Sequence, residues 1–306
     1  MNRAGVTNEH GCMNRAVQIV LSIVSTGLCA IACATDGSRS TPSPAAMGDD
    51  AATQDAAKAA AAKAWAAKDV AAPTEAPKVG TTVRVGGDLK VESNLDGETW
   101  RSGRCLIEAP LPAGYPAPTP PGSIDLKTYP VVRRAEITAK GSTMVGMNFA
   151  FWPLFNHIKD RDIAMTSPVE MDYRGMEAEG NPYQLDESKG EWTMSFLYRQ
   201  REQGPTGEAG RVKVRDNDQV TVLSIGLMGP YGIGRVNEGL PILESWLKAH
   251  PEWERAGDVR AFSYNGPQVR NANKWSEVQL PVRKVGAVPS TPKDEADSTA
   301  APINGS

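Results

Sequence analysis

Apolar residues recur at three- and four-residue spacing in the middle of the chain, the pattern of one face of an α-helix. The residues that form this pattern are Met144, Met147, Phe151, Phe155 and Ile158. Pro153 lies inside the pattern and predicts a kink or a break into two shorter helices. A β-rich segment, residues 127–140, precedes this helix, and two strand-like runs, 163–173 and 192–199, follow it.

The same order of elements repeats toward the C-terminus. Residues 219–228 are rich in β-branched side chains and predict a strand, and the glycine-rich residues 229–234 interrupt it. An amphipathic helix follows, with Pro241 near its first turn, and two further strands are predicted at 259–264 and 275–282. The apolar face of this second helix consists of Leu240, Leu243, Trp246 and Leu247.

Two consecutive β-α-β-β units predict an α+β fold, because the strands come in hairpin-like pairs and not singly between helices. We expect duplicated βαββ units that form a distorted antiparallel β-barrel with two flanking helices. Closure of the barrel would leave no exposed sheet edge. Residues 81–121 form an N-terminal extension of this domain, in which 81–91 and 100–107 are strand-like and 110–121 is rich in proline. The extension either adds strands to the barrel or packs against it.

Composition separates a folded region from the two ends of the chain. Of 19 aromatic residues, 18 lie between Trp100 and Trp275. Residues 35–80 are rich in alanine and proline and predict a disordered linker, because they offer little apolar surface to offset chain entropy. Residues 286–306 predict a disordered tail. The net charge of −3 gives no reason to expect a nucleic-acid partner.

Residues 1–34 have the features of a signal peptide, with Arg15 followed by an uncharged, apolar stretch. Small residues then precede Cys33, an arrangement that resembles the bacterial lipobox, in which the cysteine is lipidated. Lipidation of Cys33 and ordinary cleavage both stay open. Either outcome predicts export to the periplasm or cell envelope, with a lipid anchor as the only contact with a membrane. After cleavage Cys105 is the one cysteine left in the folded region, and we expect a buried, inert thiol.

Several short motifs occur in the order found in the SOUL haem-binding protein family, and the resemblance covers residues 122–285. The motifs are Tyr129–Val132, Phe155–Ile158, Asp162–Val169, Trp192–Phe196, Tyr264–Pro267 and Glu277–Val282. The resemblance implies a barrel-like core of duplicated βαββ units. It also implies a non-catalytic protein that binds haem or another tetrapyrrole through a mainly hydrophobic surface, without strong axial ligation. Haem would then be a cofactor that folding does not require.

The resemblance assigns the proposed cofactor site to the first helix and one loop. The matching helix residues are Met147, Asn148, Phe151 and Phe155. Family members carry basic residues on this helix, but this sequence has neutral asparagines there. Arg270, between the last two strands, is therefore the remaining basic candidate for a haem propionate.

His157 is the candidate axial ligand of the haem iron. At 100° per residue it lies about 200° around the helix from Phe155, away from the predicted stripe of apolar residues. A position on the surface or flank of the helix therefore competes with a ligand role. His250 follows the second helix, where a cation suits the helix C-terminus.

Two other functions stay open at this point. The first is binding of another flat hydrophobic molecule, and the second is a hydrolase that uses a carboxylate of the barrel. Glu170 and Asp172 alternate along a strand and could share one face, although solvated side chains are the simpler expectation. The segment Met165–Val169 is interpreted as structural, because its hydroxyls can satisfy backbone groups at a strand kink. Residues 229–234 lack the spacing of a phosphate-binding loop.

Overall fold

The computed structural model describes residues 70–286. The predicted signal peptide with Cys33, most of the predicted linker and nearly all of the predicted tail lie outside the described residues. Neither helix within residues 70–286 is long and apolar enough to cross a membrane.

The described residues form sixteen strands and two α-helices. Helix α1 spans Thr143–Lys159 and helix α2 spans Ile233–Ala249. The strands are β1 (Thr82–Gly87), β2 (Asn94–Asp96), β3 (Thr99–Ser102), β4 (Cys105–Ile107), β5 (Ser123–Tyr129), β6 (Val132–Ala139), β7 (Val169–Arg174), β8 (Glu177–Ala178), β9 (Asn181–Leu185), β10 (Glu191–Leu197), β11 (Gly207–Ala209), β12 (Val212–Asn217), β13 (Val220–Met228), β14 (Trp253–Arg255), β15 (Arg260–Ser263) and β16 (Trp275–Lys284).

Eleven of these strands build one large antiparallel sheet. Its order is β1-β5-β13-β16-β15-β7-β10-β6-β12-β11, and β14 pairs with the far end of β16. Both helices pack on one face of this sheet, where alternating residues of the strands form the main hydrophobic core. The prediction of an α+β fold with two helices is confirmed.

The predicted barrel closure is not confirmed, because the strand order is open within residues 70–286 and ends at β1 and β11. Two short connections explain the shape. Strand β5 leads into β6 through two residues, and β12 leads into β13 in the same way. The chain therefore turns a corner where Tyr129 pairs with Val220 and Val132 pairs with Asn217. The pair β5 and β13 near one end of the strand order is joined to the pair β6 and β12 near the other end by the chain and not by a ladder of hydrogen bonds.

Both alternatives for residues 81–121 occur. Strand β1 adds to the main sheet beside β5, whereas β2, β3 and β4 form a separate small sheet. Residues 108–122, which we call the strap, lie against the face of the main sheet opposite the helices. Two contacts that hold the strap are a hydrogen bond, in which the Pro110 carbonyl accepts from the Ser167 amide at 3.0 Å, and the edge-on packing of Tyr115 against Tyr129, with ring centres 4.8 Å apart.

The helix bounds differ from two expectations. Helix α1 runs continuously through Pro153 and does not break there. Helix α2 begins at Ile233, so Pro241 lies in its middle and not in its first turn. The strand expected at 163–173 is shorter, because residues before Val169 are irregular; as interpreted from sequence, Thr166 and Ser167 donate to the backbone carbonyls of neighbouring segments.

Candidate functional site

Helix α1 exposes large apolar side chains to solvent. Met144 is 80% exposed, Phe149 66%, Val145 60% and Trp152 37%. The helix has no acidic or basic side chain before its last turn, which contains His157 and Lys159. Soluble proteins rarely leave a contiguous patch of this kind uncovered unless it binds something. We call these four residues the apolar face of α1.

The exposure follows from which side of α1 meets the sheet. The buried side consists of Ala150, Leu154, His157 and Ile158, with Thr143 at the start. Gly146 also lies on the sheet side, because an added Cβ would overlap the ring of Trp192. These small residues let the helix approach the sheet closely. At 100° per residue, the centre of the buried side lies about 75° around the helix from the centre of the apolar stripe predicted from sequence.

The predicted cofactor residues of α1 lie along the border between the buried and exposed sides. Met147, Phe151 and Phe155 are half-buried and pack against the core, whereas Asn148 is exposed. Phe151 and Phe155 stack with ring centres 6.0 Å apart, and both contact Trp152 edge-on. The helix therefore presents a continuous aromatic and aliphatic surface, and the residues assigned from sequence form one edge of it.

His157 is buried, and the structure corrects its expected place on the surface or flank of α1. Its Nε2 lies 3.0 Å from the hydroxyl of Tyr198 in a hydrogen bond. Burial, assisted by the charge of Arg161, lowers the pKa of His157, although Asp160 acts in the opposite direction. An axial-ligand role would require the ring to leave this site. Within residues 70–286 no group of three or more His, Cys, Asp or Glu side chains could hold a metal ion.

The other candidates from sequence take different positions. Arg270 is exposed in the loop between β15 and β16, where it precedes a short 3₁₀ turn. His250 ends α2 and stacks on Trp246 with ring centres 4.0 Å apart. Cys105 is buried as expected, and burial raises the pKa of its thiol.

The strap side of the sheet combines buried charged side chains with a second hydrophobic cluster that includes Tyr129, Phe262 and Trp275. Glu277 is its central carboxylate: it pairs with Lys127 at 2.9 Å and also accepts hydrogen bonds from Ser224, Tyr264 and the Thr119 amide. Burial acts to raise the pKa of Glu277, but the charge of Lys127 and these donors outweigh it and hold the pKa below its ordinary value. The Glu277 carboxylate therefore fastens the strap to the sheet.

Glu170 lies on the same side and is fully buried, so the expectation of a solvated side chain is wrong. One carboxylate oxygen accepts from Arg134 at 3.1 Å and from Arg260 at 3.2 Å. The other has no hydrogen-bond partner among the described residues. Burial and the nearby charge of Asp172 raise the pKa of Glu170 against the effect of the two arginines. No part of this side chain is open to a substrate.

A comparison with protein families gives a match over residues 116–281 to the family described as SOUL heme-binding protein. The match spans more than half of the chain and includes both helices. The chain belongs to the SOUL heme-binding protein family. The SOUL match confirms the resemblance seen in the motifs and makes haem or a related tetrapyrrole the ligand class that the family suggests. All of the extension before the strap lies outside the matched residues.

Other comparisons add little. No curated protein matches the sequence. Among solved structures, this SOUL protein is similar to the C-terminal domain of EcmrR, with a TM-score of 0.44 and 15% identity over 53% of this chain and 98% of that chain. A hydrolase from Listeria innocua gives 0.40 and 13% over 55% and 94%. The SAV2435 protein bound to tetraphenylphosphonium gives 0.34 and 9% over 52% and 93%. Similarities this low carry no functional argument.

Proposed function

We propose that this protein is a non-catalytic binding protein for haem or another tetrapyrrole, and that the apolar face of α1 receives the flat macrocycle. The observation that carries the proposal is the solvent exposure of Met144, Val145, Phe149 and Trp152 on a helix that is uncharged until its last turn. Membership of the SOUL family supports the ligand class.

The chemistry of this surface suits a macrocycle more than an iron atom. A tetrapyrrole offers two broad apolar faces, and removing apolar area from water contributes about 25 cal/mol per Å². The ring of Trp152 can stack on such a face. With His157 turned into the core, the exposed Met144 thioether is the one soft side chain on this face that could approach iron. Binding is therefore expected to depend on the macrocycle and only weakly on the metal.

Titration of the full chain with hemin tests the proposal. We expect a shift of the hemin absorption maximum that saturates at one equivalent. The double variant Val145→Ser/Phe149→Ser should weaken binding at least about tenfold, because two apolar contacts are lost. Leu95→Ser, which changes a similarly exposed leucine in β2, is the matched control and should bind as the wild type. A folded protein that leaves the hemin absorption maximum unchanged would contradict the proposal.

Native mass spectrometry of the purified protein separates the alternatives. A co-purifying mass of another flat hydrophobic molecule, with no tetrapyrrole bound, would favour the second binding function. The hydrolase is the least favoured alternative, since the Glu170 side chain is fully buried.

We also propose export and an envelope location, with Cys33 as the site of a lipid anchor. The support is the uncharged apolar stretch before Cys33 in the sequence. Expression of the full chain in a bacterium, followed by fractionation, tests this. Wild-type protein should enter the membrane fraction with added lipid mass, and Cys33→Ser should not. Appearance of both in the soluble fraction without added mass would contradict the anchor.

The two halves of the main sheet have the same order of elements. We infer that β6-α1-β7-β10 and β13-α2-β15-β16 are copies of one βαββ unit. In each half the strand that follows the helix lies innermost, the last strand lies beside it and the first strand lies outermost, and the halves meet through β7 and β15. A circular permutant that exchanges the order of the halves should therefore fold.

A further inference from the structure

A cavity of about 200 Å³ lies between the strap, the N-terminal extension and the main sheet. Its lining includes Thr82, Arg84 and Glu92 of the extension, Pro118 and Pro120 of the strap, and Asp125 of β5. The three extension residues precede the segment that matches the SOUL family, and the strap lies on the sheet face opposite α1. The cavity is therefore separate from the surface proposed for the macrocycle.

The size of the cavity suits a small molecule. An apolar cavity of about 150 Å³ is large enough to hold benzene. The space beneath the strap is somewhat larger and opens toward solvent beside Glu92, whose side chain is exposed. It therefore has room for a ligand slightly larger than benzene and an entrance for it.

Asp125 contributes a buried carboxylate of which only one oxygen is bonded. Its side chain is 1% exposed, and Oδ1 accepts a hydrogen bond from Nε of Arg84 at 2.5 Å. Oδ2 accepts no hydrogen bond from the described residues. Burial raises the pKa of Asp125, and the charges of Lys127 and Arg84 offset that effect only in part. A buried carboxylate oxygen that lacks a donor thus borders the cavity.

Arg84 is the cation of this cavity, and its hydrogen bonds are directed at the protein itself. Nη1 donates to the backbone carbonyls of Asp88 and Val91 at 2.8 and 2.9 Å, while Nε donates to Asp125. The guanidinium is therefore held in place by the loop that follows β1 and by β5.

Negative charge is in excess around the cavity. Glu92 pairs with no cation among the described residues, and the charge of the nearby Lys127 is engaged by Glu277. Two carboxylates, Asp125 and Glu92, therefore stand against the single guanidinium of Arg84. A ligand that carries one positive charge would balance them.

The other polar groups of the lining also suit a cation. The hydroxyl oxygen of Thr82 is buried and has no hydrogen-bond partner among the described residues, and a hydroxyl oxygen can accept from a ligand. Pro118 and Pro120 have no backbone N–H, so the strap offers apolar rings and carbonyl groups at these positions. The lining is thus poor in free donors for an anion and supplies acceptors for an ammonium group.

We propose that this cavity binds a small organic ammonium ion. The ammonium group donates to Oδ2 of Asp125 and to the hydroxyl of Thr82. The apolar body packs against Pro118 and Pro120, and Glu92 supplies negative charge at the exposed rim. The bound ion contacts β1, β5 and the strap at once, so it ties the extension to the main sheet. This site does not depend on the function proposed for α1.

An NMR titration of the ¹⁵N-labelled full chain with benzylammonium chloride tests the site, because this ion is slightly larger than benzene. Amide signals of β1 and of the strap should shift and saturate in about the millimolar range expected for a ligand this small. Benzyl alcohol keeps the ring and lacks the charge. It should bind at least about tenfold more weakly, because hydrogen bonds between ionised groups are the stronger ones.

Substitutions in the lining identify the groups that bind the ion. Asp125→Asn should weaken benzylammonium binding at least about tenfold, because the paired charge is lost. Thr82→Val should weaken it severalfold without loss of stability, since it removes a buried hydroxyl that has no partner. Glu92→Gln should cause a smaller loss at the exposed rim. Glu98→Gln, which removes another exposed carboxylate of the extension, is the matched control and should bind as the wild type.

Three results would overturn the site. The first is the absence of a saturable shift with benzylammonium, and the second is binding of benzyl alcohol or benzoate at least as tight as that of the cation. The third is an affinity unchanged in Thr82→Val, a variant that decides the question even if Asp125→Asn fails to fold. The hemin titration is read separately, so failure of the ammonium site leaves the proposed function standing.

Discussion

Gly146 shows how one missing methyl group positions a helix. An added Cβ there would overlap the ring of Trp192, whose Nε1 donates to the Gly141 carbonyl at 3.0 Å. Glycine inside a helix normally weakens it, but at this position it permits the close contact between α1 and β10. The outward rotation of Met144 and Phe149 depends on that contact.

Replacement of Gly146 by alanine is therefore expected to destabilise the fold. Alanine usually improves a helix by roughly 0.5–1 kcal/mol, but overpacking against Trp192 should lower the unfolding free energy by about 1–3 kcal/mol. Urea unfolding measures the change. Gly234→Ala is the matched control in α2, where the methyl group meets open space, and it should be neutral or stabilising. Equal effects of the two substitutions would contradict this account of the α1 contact.

His157 makes stability depend on pH. Because burial lowers its pKa below the ordinary value of 6.5, the unfolded chain takes up the proton more readily than the folded chain. The contribution of His157 to the unfolding free energy is thus largest above pH 6.5, the ordinary pKa of histidine, and falls as the pH decreases below it. We expect His157→Gln, which can hydrogen-bond Tyr198 but cannot titrate, to show a flatter profile in urea unfolding between about pH 7.5 and pH 5. An unchanged slope would mean that other groups cause it.

At the scale of elements, the strap depends on one buried carboxylate. Glu277→Gln would remove the negative charge that pairs with the buried Lys127 cation and weaken the acceptor of the Thr119 amide. Breaking a buried pair from one side costs about 3–5 kcal/mol, and calorimetry or urea unfolding should detect this loss. Glu254→Gln, which removes an exposed pair with Arg283, should cost less than about 1 kcal/mol. Similar losses in both variants would contradict the anchoring role of Glu277.

The apolar face of α1 is expected to serve binding and not stability. Phe149 is mostly exposed, so Phe149→Ser alone should change the unfolding free energy by less than about 0.5 kcal/mol. The same variant should lower the affinity for hemin severalfold. A large loss of stability with unchanged hemin affinity would show that Phe149 is a packing residue.

Periodicity predicted both helices but not the orientation of α1. Apolar spacing identifies a stripe on a helix, and a stripe built for a ligand has the same spacing as one built for a core. Only the contact of Gly146 and Ala150 with the sheet distinguishes a stripe that binds a ligand from one that packs in the core. That contact joins residues far apart in the sequence, so local spacing does not reveal it. The sequence prediction also placed Pro241 near the first turn of α2, whereas the helix begins at Ile233, because the glycine-rich turn runs directly into a helix whose predicted apolar pattern starts only at Leu240.

At the scale of the whole molecule, the order of elements and the family were predictable from sequence, because the strands are rich in β-branched residues and the motifs occur in order. The polar interior was not. Glu170, Lys127 and Glu277 look like solvated strand residues in sequence, yet the strap buries them. Arg84 and Asp125 are separated by 41 positions in the sequence, and only the fold brings them to one cavity.

The most direct measurement of the central claim is an NMR titration of the full chain, with ¹³C-labelled methionine methyl groups, by diamagnetic zinc protoporphyrin IX. The ring current of the macrocycle shifts methyl signals that lie near it. We predict large shifts for Met144 and Met147, assigned through Met144→Leu and Met147→Leu, and little change for the buried Met176 and Met194. Shifts confined to methionines outside α1, or no shifts at saturating ligand, would contradict binding on the apolar face of α1.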